Sequence, residues 1–292
     1  MKRIVLALML TLTLTVGGCT NLFFQPHRVL VVSPERFGLD YEDVTFAASD
    51  GVSLHAWFLK ARGAPIGTVL FLHGNAENIS THIGSVYWLP ERGYNVFLLD
   101  YRGYGASGGT PSLEGALRDI EDSLSLLAAR PDVRGENLVV FGQSLGGSLA
   151  IDAVVRSRQR DRVRALIVEG AFASFRDIAR DKLAGFWLTW PLQYPLSWTV
   201  RDDYSPIRDI ASIRPIPVLI VHGTRDSTVP VADAERLFAA AREPKELWII
   251  PDAGHIQAFN RRESRERLVD YLDKILCSEH NKSRVKKRCA SG

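Results

Sequence analysis

Six apolar runs, "TVLFLHG", "YNVFLLD", "NLVVFGQ", "RALIVEG", "PVLIVHG" and "ELWIIPD", place hydrophobic residues one after another without alternation. A strand with one wet face alternates apolar and polar residues. A strand buried on both faces does not, so these runs predict parallel strands inside a sheet. Helical periodicity occupies the gaps, roughly 78–91, 112–130, 145–158, 232–242 and 262–277. Strand–helix repetition of this kind predicts an α/β fold, a mostly parallel central sheet covered by helices on both faces. Upstream, "DVTFAASDGVSLHAWFLK" alternates at Val52, Leu54, Ala56 and Phe58 around the turn Ser49-Asp50-Gly51, which predicts a hairpin at the sheet edge.

One segment breaks the rhythm. Between the strand ending at Glu169 and the strand starting near Pro217 lies "GFWLTWPLQYPLSW", with Phe186, Trp187, Trp190, Tyr194 and Trp198 and with Pro191 and Pro195 interrupting any long helix. The aromatics predict a small apolar cap insertion, about 171–206, that walls a substrate site with Trp187 and Trp190. Plain packing of an extra helix on the core is the alternative. The net charge of +3 is concentrated at the ends, in Lys2, Arg3 and the tail "NKSRVKKRC", which leaves a nearly neutral body. A neutral body argues against nucleic acid as a ligand. The tail, 278–292, is expected to be a solvated basic segment, with weak contact to anionic lipid as the sharper reading.

The first residues have the pattern of an export signal. "MKR" is followed by the apolar stretch Ile4 to Val16, which at about 1.5 Å per residue spans roughly 20 Å, short of the roughly 30 Å of a bilayer core. A signal peptide over 1–18 is therefore favoured over a transmembrane helix. Val16-Gly17-Gly18-Cys19 resembles the lipobox of bacterial lipoproteins. That resemblance implies cleavage before Cys19 and a diacylglyceryl group on its sulfur. It further implies an acylated new N-terminus, a tether over 19–40 and a place in the bacterial cell envelope. Thr20 after the cysteine leans, by resemblance to enterobacterial sorting, toward the outer membrane. An ordinary signal peptide with an incidental cysteine is the competing reading. Cys277 and Cys289 could bridge in an oxidising compartment, but a lone pair is no disulfide framework.

"VVFGQSLGGSLA" carries Gly142-Gln143-Ser144-Leu145-Gly146, a G-x-S-x-G pattern directly after an apolar strand and at the start of a helix. A nucleophile elbow needs this context. The tight turn lifts the serine hydroxyl above the sheet, and only small residues at 142 and 146 allow the backbones to approach. The helix N-terminus places positive potential under a developing oxyanion.

Together, "HGNAENIS", "DYRGYGASGG" and "GQSLGG" make residues 41–277 resemble the alpha/beta hydrolase superfamily. Within it they are similar to membrane-associated serine hydrolases, a group that includes lysophospholipase-like proteins and protein depalmitoylases. The resemblance implies a catalytic triad in the chain order nucleophile, acid, base. Three histidines end apolar runs beside a glycine. His73 precedes Ser144 and His222 precedes its own acid, so His255 in "PDAGH" is left as the base, with Asp226 in "HGTRDSTVP" as the acid. Glu169 is the reserve acid. The oxyanion donors are expected to be the backbone N–H groups of Leu145 and, in the loop after "LFLHG", Asn75. Tyr101 and Arg102 face the same end of the sheet; loop stabilisation by hydrogen bonds is the plainer reading of both, and a substrate wall or headgroup contact the sharper one.

The functional expectation is a lipid-anchored serine hydrolase that cleaves a small-molecule or lipid-derived carboxylic ester or thioester through an acyl-enzyme. A peptidase or amidase of the same fold, and a noncatalytic envelope binding protein, are the alternatives. No metal or cofactor is implied, since CxxC pairing is absent and "GYGASGG" lacks the Walker lysine.

Overall fold

The computed structural model describes residues 23–133 and 137–276. The signal peptide, Cys19, Cys277 and the basic tail with Cys289 lie outside the described residues. An eight-stranded sheet dominates, with strands β1 (Tyr41–Ala47), β2 (Ser53–Leu59), β3 (Gly67–Leu72), β4 (Tyr94–Asp100), β5 (Asn137–Gln143), β6 (Val163–Glu169), β7 (Val218–Gly223) and β8 (Lys245–Ile250). Their spatial order is β8-β7-β6-β5-β3-β4-β2-β1. Only β2 runs against its neighbours; every other pairing is parallel. The edge hairpin β1–β2 and the buried parallel core are those the hydrophobic pattern predicts.

The unbroken apolar runs feed both faces of the sheet. Leu70, Leu72, Val140, Leu166 and Ile220 pack on one side, under helices α1 (Leu113–Ala129), α2 (Leu145–Arg156) and α5 (Val231–Ala240). Val69, Phe71, Val139, Phe141, Ile167 and Val221 pack on the other, under α6 (Arg262–Leu276) and the turns of residues 79–89. Strand side chains alternate between faces, so a run with no polar residue is what two covered faces require. The expected helix over 78–91 is instead the single turn Ile79–His82 followed by two 3-10 turns. Gly84 and the β-branched Ile83 and Val86 weaken a continuous helix there, and Pro90 begins the second of those turns.

Between β6 and β7 the chain builds α3 (Phe175–Ala184), a 3-10 turn at Trp190–Leu192 and the short α4 (Gln193–Ser197). The Ser174 hydroxyl caps α3 by accepting from Asp177 N–H. No helix among the described residues is long and apolar enough to cross a membrane.

From Phe23 onward the expected tether is packed rather than loose. Phe23 stacks edge-on against Phe175, 5.7 Å between centroids. Gln25 N–H donates to Asn75 Oδ1 at 2.9 Å, and Asn78 Nδ2 donates to the carbonyls of His27 and Val29. This strap crosses the carboxyl ends of the strands, where the chemistry-bearing loops gather.

Candidate active site

Ser144 sits in the turn between β5 and α2 with φ 53° and ψ −118°. That is a strained backbone for a residue with a Cβ. It is held from both sides: Ser144 N–H donates to Glu169 O at 2.8 Å, and Ser148 N–H donates to Ser144 O at 3.0 Å. The glycines of the motif are sterically required. A Cβ on Gly142 would lie 2.4 Å from Gly146 O, and one on Gly146 would lie 2.3 Å from Leu72 O. The helix and the neighbouring strand end therefore touch backbone to backbone, and Ser144 is pushed to the rim.

His255 lies in the loop after β8. Its Nε2 is 2.9 Å from Ser144 Oγ, and its Nδ1 is 2.7 Å from Asp226 Oδ2. Three residues from three strand ends, far apart in sequence, thus form one continuous chain of hydrogen bonds. With Nδ1–H donating to Asp226, Nε2 is free to accept from the serine. Asp226 is nearly inaccessible. Burial alone would raise its pKa, but hydrogen bonds from His222, His255 and Val229 N–H outweigh burial and hold the carboxyl well below its usual range. Its other oxygen accepts from the N–H groups of Thr228 and Val229, at 2.8 and 2.9 Å.

Leu145 is the first residue of α2, so its N–H has no acceptor within the helix and is available beside the serine. The loop after β3 closes on the same point: a Cβ on Gly74 would lie 3.5 Å from Ser144 Cβ. Asn75 follows, its side-chain oxygen accepting from Gln25 N–H and the Tyr104 hydroxyl. His73 is buried against Tyr101 and Tyr104, and its Nδ1 bonds Gly74 O at 2.7 Å. Burial, with the nearby His82, pushes its pKa down to about 4, so His73 stays neutral and shapes the loop.

Two residues outside the expected triad support it. His222 is fully buried, donates from Nε2 to Val229 O at 2.9 Å and lies 3.3 Å from Asp226 Oδ2. Chain order excludes it as the base, yet it backs the acid; its position four residues before Asp226 at a strand end was the available signal. Glu169 lies beneath the histidine loop, accepting from Ala258 N–H at 2.8 Å and from Gln143 Nε2 at 2.6 Å. Burial pushes its carboxyl up to about 7.

The expected substrate wall is not where the sequence suggests. Tyr101 is fully buried and donates its hydroxyl to His73 O at 3.2 Å. Arg102 is spent on Asp119 and Asp50, with contacts of 2.7 and 2.8 Å. Both stabilise loops: Tyr101 holds the turn after β3, and the Arg102 guanidinium is clamped between two carboxylates and only slightly exposed. Trp187 and Trp190 are 79% and 60% exposed and project into solvent. A different set, Phe23, Ala179, Leu183, Leu196 and Val200, lines an apolar groove of about 270 Å³ between the strap and the cap. α3 borders the site as well, with Lys182 Nζ donating to Thr228 O in the Asp226 loop at 2.9 Å. Among the described residues no group of three or more His, Cys, Asp or Glu side chains is arranged to hold a metal ion.

Comparison with known proteins agrees with this architecture. A family model described as serine aminopeptidase, S33 (Hydrolase_4) matches residues 63–214. The uncharacterized protein YfhR of Escherichia coli strain K12 is 40% identical over 259 residues, which cover 86% of each chain. The alpha/beta hydrolase domain-containing protein WAV2 of Arabidopsis thaliana is 38% identical, covering 78% of this chain and 76% of its own. Among solved structures, the Pyrococcus furiosus esterase Pf2001 superposes with a TM-score of 0.69 at 23% identity, over 86% of this chain and all of the other. At that identity the likeness speaks for the fold.

Proposed function

Because the chain belongs to the Hydrolase_4 family of alpha/beta hydrolases, we propose that it is a lipid-anchored serine hydrolase that cleaves a carboxylic ester or thioester of an acyl or lipid-derived group. The observation that carries this reading is the hydrogen-bonded line Ser144–His255–Asp226 at a strained strand-to-helix turn. A serine hydroxyl is a poor nucleophile at neutral pH, so a base must take its proton as the oxygen attacks. His255 accepts that proton while Ser144 Oγ bonds to the carbonyl carbon. It then returns the proton to the leaving oxygen or sulfur as that bond breaks. Water repeats the sequence on the acyl-enzyme, and Asp226 steadies the imidazolium in both halves. The N–H groups of Leu145 and Asn75 receive the oxyanion; a donor of this type is worth about 3 to 4 kcal/mol of barrier.

The family description also names an aminopeptidase. An aminopeptidase needs an anion to pair with the substrate's ammonium. The buried carboxyl groups of the site, Asp226 within the triad and Glu169 beside it, are already engaged with a ring and amides. The apolar groove supports an acyl chain instead. Anchoring through Cys19 in the cell envelope, with the outer membrane favoured, rests on the lipobox resemblance. Hydrolysis of p-nitrophenyl esters of graded chain length, beside a peptide and a phospholipid, tests the substrate class. The expected result is kcat/KM rising with chain length; acetate cleaved as well as longer chains would remove the groove from the account.

A further inference from the structure

From Leu183 to Val200 the chain carries no charged residue, and the segment is turned outward. Trp187, Trp190 and Trp198 are exposed, and Phe186, Leu188, Leu192, Tyr194 and Leu196 are exposed beside them. Folded monomers rarely leave so many large apolar side chains together in water. The segment cannot span a bilayer, because it is divided into the end of α3, a 3-10 turn and the short α4. Tryptophan and tyrosine, with an apolar ring and one polar tip, concentrate at the boundary between headgroups and acyl chains.

The chain's own geometry selects the occupant of this surface. Phe23 stacks on Phe175 of α3 and lines the groove with Leu183, Leu196 and Val200 of the same segment. Cys19 lies four residues before Phe23, a reach of at most about 14 Å even in a fully extended chain. Lipid attached there would keep the cap close to the bilayer. We propose that the segment from Leu183 to Val200 is an interfacial membrane-docking surface, which seats the cap in the outer part of a lipid leaflet and opens the groove toward it. This leans on the lipid-anchor reading for its chain-length argument. Most of the flanking charge is neutralised: Arg180 pairs with Asp177 and Asp181, Arg201 pairs with Glu114 and Asp203, and Lys182 keeps its charge while donating to Thr228 O. Docking is therefore mainly apolar and depends little on anionic lipid or salt.

The protein carries its own reporter. Of its six tryptophans, Trp57, Trp88 and Trp248 are buried in the core, and the other three belong to this segment. The test reconstitutes the full lipid-modified chain into phosphatidylcholine vesicles with ordinary or dibrominated acyl chains and compares tryptophan emission. Docking predicts a loss of roughly half the emission in brominated vesicles, because interfacial indoles reach the bromines and core indoles do not. The loss should be nearly the same at low and high salt. It should disappear in the W187Q/W190Q/W198Q variant, which still sediments with vesicles and keeps its circular dichroism. Equal emission in both vesicles, with the protein still sedimenting, would overturn the docking surface and leave the anchor intact. A solution dimer that hides these tryptophans from the bromines would also overturn it. Intact mass reports Cys19 acylation separately. If no acyl chain is present, the anchor reading fails, and the same quenching by added vesicles decides the docking surface alone.

Discussion

His255 lies between two oxygens, Ser144 Oγ at 2.9 Å and Asp226 Oδ2 at 2.7 Å, so its loss removes both the base and the link to the acid. His73 touches neither oxygen of that line and works through the carbonyl of Gly74. His255→Ala is accordingly expected to remove nearly all ester hydrolysis and Asp226→Asn about four orders of magnitude of kcat, as in triads generally. His73→Ala should lower kcat only in part. Steady-state kinetics of the three variants checks this ranking, and equal losses at His73 and His255 would reverse the assignment. Glu169 gives a prediction about stability. Its folded pKa, raised by burial to about 7, lies above the unfolded carboxyl value. Between those two values the folded state holds more protons at this carboxyl, so its contribution to stability is fully present below about pH 4.5 and is lost as pH rises to about 7, by up to about 3 kcal/mol. Glu169→Gln should flatten that slope in denaturant unfolding measured at several pH values. An unchanged slope would show that the carboxyl ionises normally.

At the scale of elements, the site is a product of where strands stop. β5, β7 and β8 deliver Ser144, Asp226 and His255, and β3 delivers the loop beginning at His73. Backbone contact at the elbow makes the placement brittle. Gly146→Ala would force a Cβ to within 2.3 Å of Leu72 O, and the helix start carrying the Leu145 amide would have to move. The expectation is a stability loss of about 1–3 kcal/mol, typical of overpacking, with a larger fall in kcat than in thermal stability. Normal kcat in a folded Gly146→Ala protein would show that close approach is not needed. The strands were legible in the sequence because burial on both faces leaves an unbroken apolar run, and the meeting of Ser144, Asp226 and His255 was legible because they follow such runs in the chain order that the family resemblance implies. The strap of residues 23–31 was not. Gln25, His27 and Val29 are held by bonds to Asn75, Asn78, Tyr104 and Gly105, about fifty to eighty positions away, and no periodicity announces such contacts. Arg102 could not be decided between loop and substrate wall for a related reason. Its role depends on Asp50 and Asp119, which only the folded sheet brings together.

Among the described residues, a core buried on both faces of the sheet is joined to an apolar outer surface on the cap. The described residues place the strap, the groove and the cap together, and the groove opens beside the loop that carries Asp226. With the cap docked as proposed, acyl selectivity and interfacial docking are expected to occur together. All of this depends on Ser144 being a working nucleophile. The most direct test is to treat the folded protein with a fluorophosphonate probe and map the adduct by mass spectrometry. The account predicts one covalent adduct on Ser144, absent from Ser144→Ala and strongly slowed in His255→Ala. A folded wild-type protein that takes up no probe at Ser144 would contradict it.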